Sequence, residues 1–181
     1  MPAPSRHPDL ELRLPRLDEE AEFLRAHRAT TPGYPTFLHY HDEGMPFAAY
    51  LQRLREQRLG IGLPTPRHVP STFLFAFDGA RIVGRVSIRH RLNDALERIG
   101  GHVGYAVVPE FRGRGYATAI LAKAVAIARD EFGIARILVT CEEGNLASIK
   151  VIERNGGVLD DSVPDGVSNE ASPPHRRYWI G

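Results

Sequence analysis

The chain carries a single cysteine, Cys141, in 181 residues. It can form no intrachain disulfide and no cysteine-based zinc cluster, so nothing in it requires an oxidising compartment. It also lacks a surplus of charge: 23 Lys and Arg stand against 22 Asp and Glu, a formal net charge of +1. That balance gives no global electrostatic ground for binding nucleic acid or an anionic membrane. No stretch approaches the ~18 uninterrupted apolar residues of a membrane span. Residues 1–10 hold three prolines and no apolar segment, so they do not read as a secretory leader. These absences predict a soluble, cytoplasmic protein that binds neither nucleic acid nor membrane.

What remains is the composition of one globular domain, 43% hydrophobic and 25% charged, long enough to build a core without staples. Leu10, Leu12 and Leu14 alternate with charged residues and predict a short strand ended by Pro15. Asp18, Glu19 and Glu20 open a helix to about Arg28, with acids in the first turn as the helix dipole prefers. Residues 30–43 read as loop. Phe47, Tyr50, Leu51 and Leu54 have helical spacing to about Leu59, and 60–70 is a Pro/Gly-rich connector.

From Ser71 the pattern turns to strands. Residues 72–77 and 81–89 flank Asp78-Gly79, a hairpin signal, and a further run covers 101–108. The clearest helix follows at about 115–132, with Ala117, Ile120, Leu121, Ala124, Val125 and Ala128 in one apolar stripe and Gly133 as its C-terminal cap. Residues 134–141 read as a buried strand. Asn145 is an N-cap for a helix to about Arg154, stopped by Asn155-Gly156-Gly157, and strands are expected near Val158 and at 177–180. Strand, helix and strand over 101–141 make a βαβ unit, hence two parallel strands, beside an antiparallel hairpin. The expected class is α/β, a mixed central sheet flanked by helices.

The chemistry concentrates in Val107-Val108-Pro109-Glu110-Phe111-Arg112-Gly113-Arg114-Gly115-Tyr116-Ala117. This segment joins a strand to a helix N-terminus, where unpaired N–H groups and a partial positive charge favour anions. Glycine lets the backbone approach a phosphate, and Arg112 and Arg114 add charged donors. A solvated basic turn is the plain alternative. A Rossmann site wants Gly-x-Gly-x-x-Gly directly after the strand; here Thr118 holds the third position, and too little chain follows Cys141 for that fold. A P-loop needs Gly-Lys-Ser/Thr, which is absent.

Arg112-x-x-Gly115-x-Ala117 resembles the pyrophosphate loop of the GNAT family of N-acetyltransferases. Asn145-x-x-Ser148 and the ending Asn155-Gly156-Gly157 are similar to that family's next block. Within the family the chain resembles a bacterial group of acetyltransferases of largely unassigned substrate, through Arg89-His90-x-Leu92-Asn93, Gly100-Gly101-His102-x-Gly104-Tyr105, Cys141-x-x-x-Asn145 and Arg177-Tyr178-Trp179-Ile180. The resemblance implies one domain over 1–181: a helical acceptor-side region at 1–70, a CoA-binding core at 71–156 and C-terminal strands at 157–181. It implies acetyl-CoA as cosubstrate, no metal, and direct transfer to a small amine, an amino acid or a peptide, by a monomer or homodimer.

On that resemblance, the strand before the loop splays from its parallel neighbour and the pantetheine arm lies in the opening, paired with the backbones of Val107 and Val108, while N–H groups of Arg112, Gly113, Arg114, Gly115, Tyr116 and Ala117 hold the pyrophosphate. A Val107 N–H serves as oxyanion donor. Asn145 and Ser148 face the thiol end or the arm. Many members place an acidic Tyr seven residues after the Asn; here that position is Ile152. Tyr105 and His102 are the leading proton carriers, on opposite faces of one strand, with His90, Glu142, Glu143 and Tyr178 behind them. Bland roles weigh against each: His102 as a hydrogen-bonded strand histidine, Cys141 as buried filling, Glu142-Glu143 as a solvated strand end, Trp179 as packing, and His39 and His41 as loop residues rather than metal ligands. The aromatic, histidine-rich stretch 34–50 is expected to shape the acceptor pocket. Because Ile152 replaces the Tyr, a non-catalytic acyl-CoA-binding or sensing domain is the second hypothesis. A nucleotide-binding oxidoreductase is the third.

Overall fold

The computed structural model describes residues 7–30, 37–42, 44–160, 167–169 and 172–181. The readings of residues 1–6 and of Tyr34 within the 34–50 stretch lie outside these residues. A first sheet runs in the order β1-β2-β3-β4, made of β1 (Glu11–Arg13), β2 (Ser71–Asp78), β3 (Arg81–Arg89) and β4 (Val103–Val107), every ladder antiparallel. A second sheet sets β8 (Ser172–Ile180) between β5 (Ile137–Glu142) and β6 (Val158–Leu159), with β7 (Val167–Asn169) also on β8. The strands β2 and β3 close at Asp78 and Arg81 around the expected turn.

Among the described residues, five α-helices flank these sheets: α1 (Glu20–Thr30), α2 (Phe47–Leu59), α3 (Asp94–Arg98), α4 (Tyr116–Phe132) and α5 (Leu146–Arg154). The alternation along β3 sends Val86 and Ile88 to one face, where they bury with Ile120, Leu121 and Ala124 of α4. Phe73, Phe75 and Phe77 of β2 bury on the other face against Phe23, Tyr50, Leu51 and Leu54 of α1 and α2. The apolar stripe read in the sequence is the buried face of α4, and Gly133 ends that helix at φ +66°, its N–H reaching the Ala128 and Arg129 carbonyls.

The βαβ unit forms in chain order, and among the described residues β4 and β5 share no ladder: they meet where His102 bonds Leu138, in keeping with the splay that the resemblance implies. Helix α3 was not expected: it is five residues long, and only its N-cap Asn93, accepting from the Leu96 N–H at 3.0 Å, marks it.

Candidate active site

The junction of the two sheets is pinned at His102. Its N–H donates to the Leu138 carbonyl at 2.7 Å, and its Nδ1 accepts the Leu138 N–H at 3.0 Å. Beside it, Gly101 sits at φ +60°, and a Cβ there would lie 2.4 Å from the Leu138 carbonyl oxygen. Only glycine permits this approach. The Gly100 N–H donates to Thr140 Oγ1 at 2.8 Å, and Arg89 Nη1 donates to the carbonyls of Gly100 and Gly101 at 3.0 and 2.9 Å.

Past this apex the register leaves an opening. Arg89 donates its N–H to the His102 carbonyl at 2.7 Å, and Val108 donates to the Val83 carbonyl at 2.9 Å. Those pairs fix the alternation, so Gly104 and Ala106 bond β3 while the main-chain groups of Tyr105 and Val107 turn towards β5. On β5, the Glu143 N–H donates to the Pro174 carbonyl at 2.8 Å, which turns the main-chain groups of Thr140 towards β4. Two strand edges thus face each other with no ladder between them. Val107 keeps its N–H directed there, while its carbonyl accepts from Arg112 Nε at 3.2 Å. Val108 differs from expectation: its N–H goes to Val83, so it has no donor left for a ligand's amides, and its carbonyl already accepts the Phe111 N–H at 2.9 Å. The main-chain groups that face the opening are those of Tyr105 and Val107.

The opening leads to the N-terminus of α4. Gly113 and Gly115 stand at φ +74° and +91°, and Gly115 is the N-cap residue. A side chain is strained in that region, so the sequence meets the turn with glycine. Tyr116 turns its phenol into the fold, where it donates to Asp78 Oδ2 at 2.5 Å; that bond, then burial, holds its pKa up. The loop has a neighbour that local sequence could not reveal. His7 stacks on Tyr116 with ring centroids 3.8 Å apart, and its Nε2 lies 2.8 Å from the Arg114 carbonyl.

At the start of α5, Asn145 Oδ1 accepts the Ser148 N–H at 3.0 Å, a side-chain N-cap. Ile152 is 0% exposed within the α4 core, so no proton donor exists at that position. The other candidates disperse. Tyr178 is 2% exposed, and burial pushes its hydroxyl pKa up. Cys141 is buried and its thiol is pushed up to about 11, which makes it a poor nucleophile. Glu143 pairs with Arg176 at 2.8 Å, Trp179 Nε1 donates to Asp160 at 3.0 Å, and His90 stacks on Phe132. Tyr105 packs against the α4 side of β4. His102, 8% exposed, has its pKa lowered by burial and then by Arg89.

On the opposite face of β3 lies a cavity of about 480 Å³ lined by His39, Tyr40, Arg67, Ser87, Arg89 and Leu96, among others. Tyr40 holds a positive φ of 63°, and its carbonyl accepts from Arg53 Nη1 at 2.9 Å. Burial, then Arg85 and Arg89, hold His39 neutral with a pKa of about 3. His41 packs instead on Tyr50 and His27. Among the described residues, no group of three or more His, Cys, Asp or Glu is placed to hold a metal, and no helix is long and apolar enough to cross a membrane.

The sequence matches the family described as acetyltransferase (GNAT) domain over residues 9–158, most of the chain. This protein belongs to the GNAT acetyltransferase family. It is an acetyl-CoA-dependent N-acetyltransferase by that membership. The GNAT fold is repeated in solved structures. The acetyltransferase from Agrobacterium tumefaciens is 18% identical with a TM-score of 0.62, covering 99% of this chain and 95% of its own. The microcin C7 self-immunity acetyltransferase MccE, solved with acetyl-CoA and AMP, is 18% identical with a TM-score of 0.63, covering 98% and 97%. The ribosomal-protein-S5-alanine acetyltransferase from Vibrio fischeri is 15% identical with a TM-score of 0.66, covering 98% and 94%. A comparison with curated proteins finds no match.

Proposed function

We propose that this GNAT chain passes an acetyl group from acetyl-CoA directly to an amine while both are bound. The observation that carries the proposal is the pair of facing strand edges beyond His102, which runs into a glycine-bearing helix N-terminus. An amide-bearing arm can add to such edges as a strand would, and N–H groups from Gly113 to Ala117 meet its phosphates, the Arg112 N–H being given to the Pro109 carbonyl at 3.2 Å. The Val107 N–H, directed into the opening, polarises the thioester carbonyl and stabilises the charge that develops on its oxygen. Asn145 and Ser148 border the arm, though the Asn145 carbonyl oxygen is already engaged in capping α5.

Tyr105 is assigned as the proton donor to the departing thiolate, in place of the family's missing Tyr at Ile152. His102 is assigned as a positioning residue rather than a base. Its Nδ1 already accepts the Leu138 N–H, and protonating it there would break the pin between the sheets. Tyr105→Phe should therefore lower kcat well beyond any change in CoA affinity. Free-thiol release from acetyl-CoA over a panel of amines, amino acids and peptides tests the transfer. Thiol release above the hydrolysis background supports it; tight CoA binding with no release from any amine would contradict it.

A further inference from the structure

The cavity over β3 narrows the acceptor, granting the acyl-transfer reading above. Its lining mixes apolar walls such as Leu38, Val69 and Leu96 with two guanidinium groups, Arg67 and Arg89. No Asp or Glu lines it among the described residues. Neither Arg67 nor Arg89 takes part in an ion pair among those residues. Arg89 is held in place by neutral carbonyls alone, those of Gly100 and Gly101. A part-buried guanidinium without a carboxylate is costly unless an anion completes it. The neutral His39 adds hydrogen-bonding capacity to the same wall.

The cavity also adjoins the reaction centre. Ser87 and Arg89 share one face of β3, and Gly104 lies directly across from Ser87 on β4. Neighbouring strands are ~4.8 Å apart. A Cβ at Gly104 would meet nothing within 4 Å, so space over β4 is open there. A small molecule can anchor beside Arg89 and reach across Gly104 towards the edge that bears Val107.

We infer that the acceptor is a small amine carrying a carboxylate or phosphate, anchored by Arg89 and Arg67 with its amine directed over Gly104. A volume near 480 Å³ suits a metabolite-sized acceptor. The positive lining repels a di- or polyamine and favours the uncharged, nucleophilic form of the acceptor's amine.

The test uses matched amines and reads free thiol: amino acids against their amides and decarboxylated amines, and phosphorylated against free amino alcohols. The two anion arms separate carboxylate from phosphate. The anionic member of a pair should show a KM roughly ten-fold lower. Arg67→Glu changes a solvent-facing residue, so the fold and the CoA affinity should survive; it should raise KM for anionic acceptors roughly ten-fold relative to their matched neutral amides. Arg89→Gln should act in the same direction, and Arg89→Lys should recover part of the loss. Equal use of amides and amino acids, an equal effect of Arg67→Glu on both, or acetylation of neutral amines with none of any anionic amine would overturn the inference alone. A chain that binds no CoA would overturn the acyl-transfer reading with it.

Discussion

The opening between β4 and β5 and the cavity over β3 lie on either side of one strand, yet they are assembled from different materials. The opening is built of main-chain groups: the edges at Tyr105, Val107 and Thr140, and the turn through Gly113 and Gly115. The cavity is built of side chains from four separate stretches, around His39, Arg67, Arg89 and Leu96. A site of the first kind tolerates most side-chain changes and is sensitive to glycine positions. A site of the second kind can be retuned residue by residue, so acceptor choice can vary while donor binding stays fixed.

That contrast is open to attack by mutation. The largest effect is expected at the hinge between the two sites. Gly101→Val places carbon 2.4 Å from the Leu138 carbonyl oxygen at a positive φ, and should cost on the order of 3–5 kcal/mol in urea unfolding. The nearby Gly104→Ala, with nothing within 4 Å of its new methyl, should change stability little. Equal costs at the two positions would mean that the sheets are not pinned where His102 meets Leu138. Next in size, Gly115→Val should abolish measurable CoA affinity in a folded protein, because φ +91° excludes a branched residue from the cradle. Circular dichroism checks the fold and calorimetry the affinity.

The cavity makes a smaller prediction with a definite sign. His39 is neutral in the fold with a pKa of about 3, against an ordinary value of 6.5. The unfolded chain therefore binds the extra proton, and stability falls as the pH drops below about 6.5 towards 3. The slope from this one group is at most about 1.4 kcal/mol per pH unit. His39→Gln should flatten the melting profile between pH 6.5 and 4.5, a window above the titration of the paired carboxylates. A variant with the wild-type slope would mean that His39 is solvated. Smallest is Arg114→Ala, which removes an exposed charge from the donor loop and should weaken CoA about ten-fold at low salt and less at high salt.

The two sites also differ in how far the sequence discloses them. The donor side lies in one contiguous stretch, where an apolar stripe, two glycines and an N-cap Asn each declare a local backbone state. Its helices α4 and α5 were accordingly legible, with caps at Gly133 and Asn145. Its strand pairing was less so. Chain order implied only that β4 and β5 run parallel, and their splay came from the resemblance alone; in the fold Gly100 and Gly101 press against Leu138 and Thr140, and no ladder follows beyond them. That divergence depends on contacts about forty residues apart, and the commitment of the Val108 N–H to Val83 on a pairing between two strands. The cavity was legible only as an aromatic, histidine-rich stretch. Arg67 and Arg89 look like ordinary surface charges until the fold brings them to one wall without an acid. Helix α3, which carries Leu96 to that wall, is too short for periodicity to show.

The central claim is that main-chain groups between β4 and α4 hold acetyl-CoA. Calorimetric titration of the wild-type chain and of Gly115→Val with CoA tests it most directly. The wild-type chain should bind CoA at one site, and a folded Gly115→Val protein at none. No heat of binding to the wild type at millimolar CoA, or wild-type affinity in the variant, would contradict it.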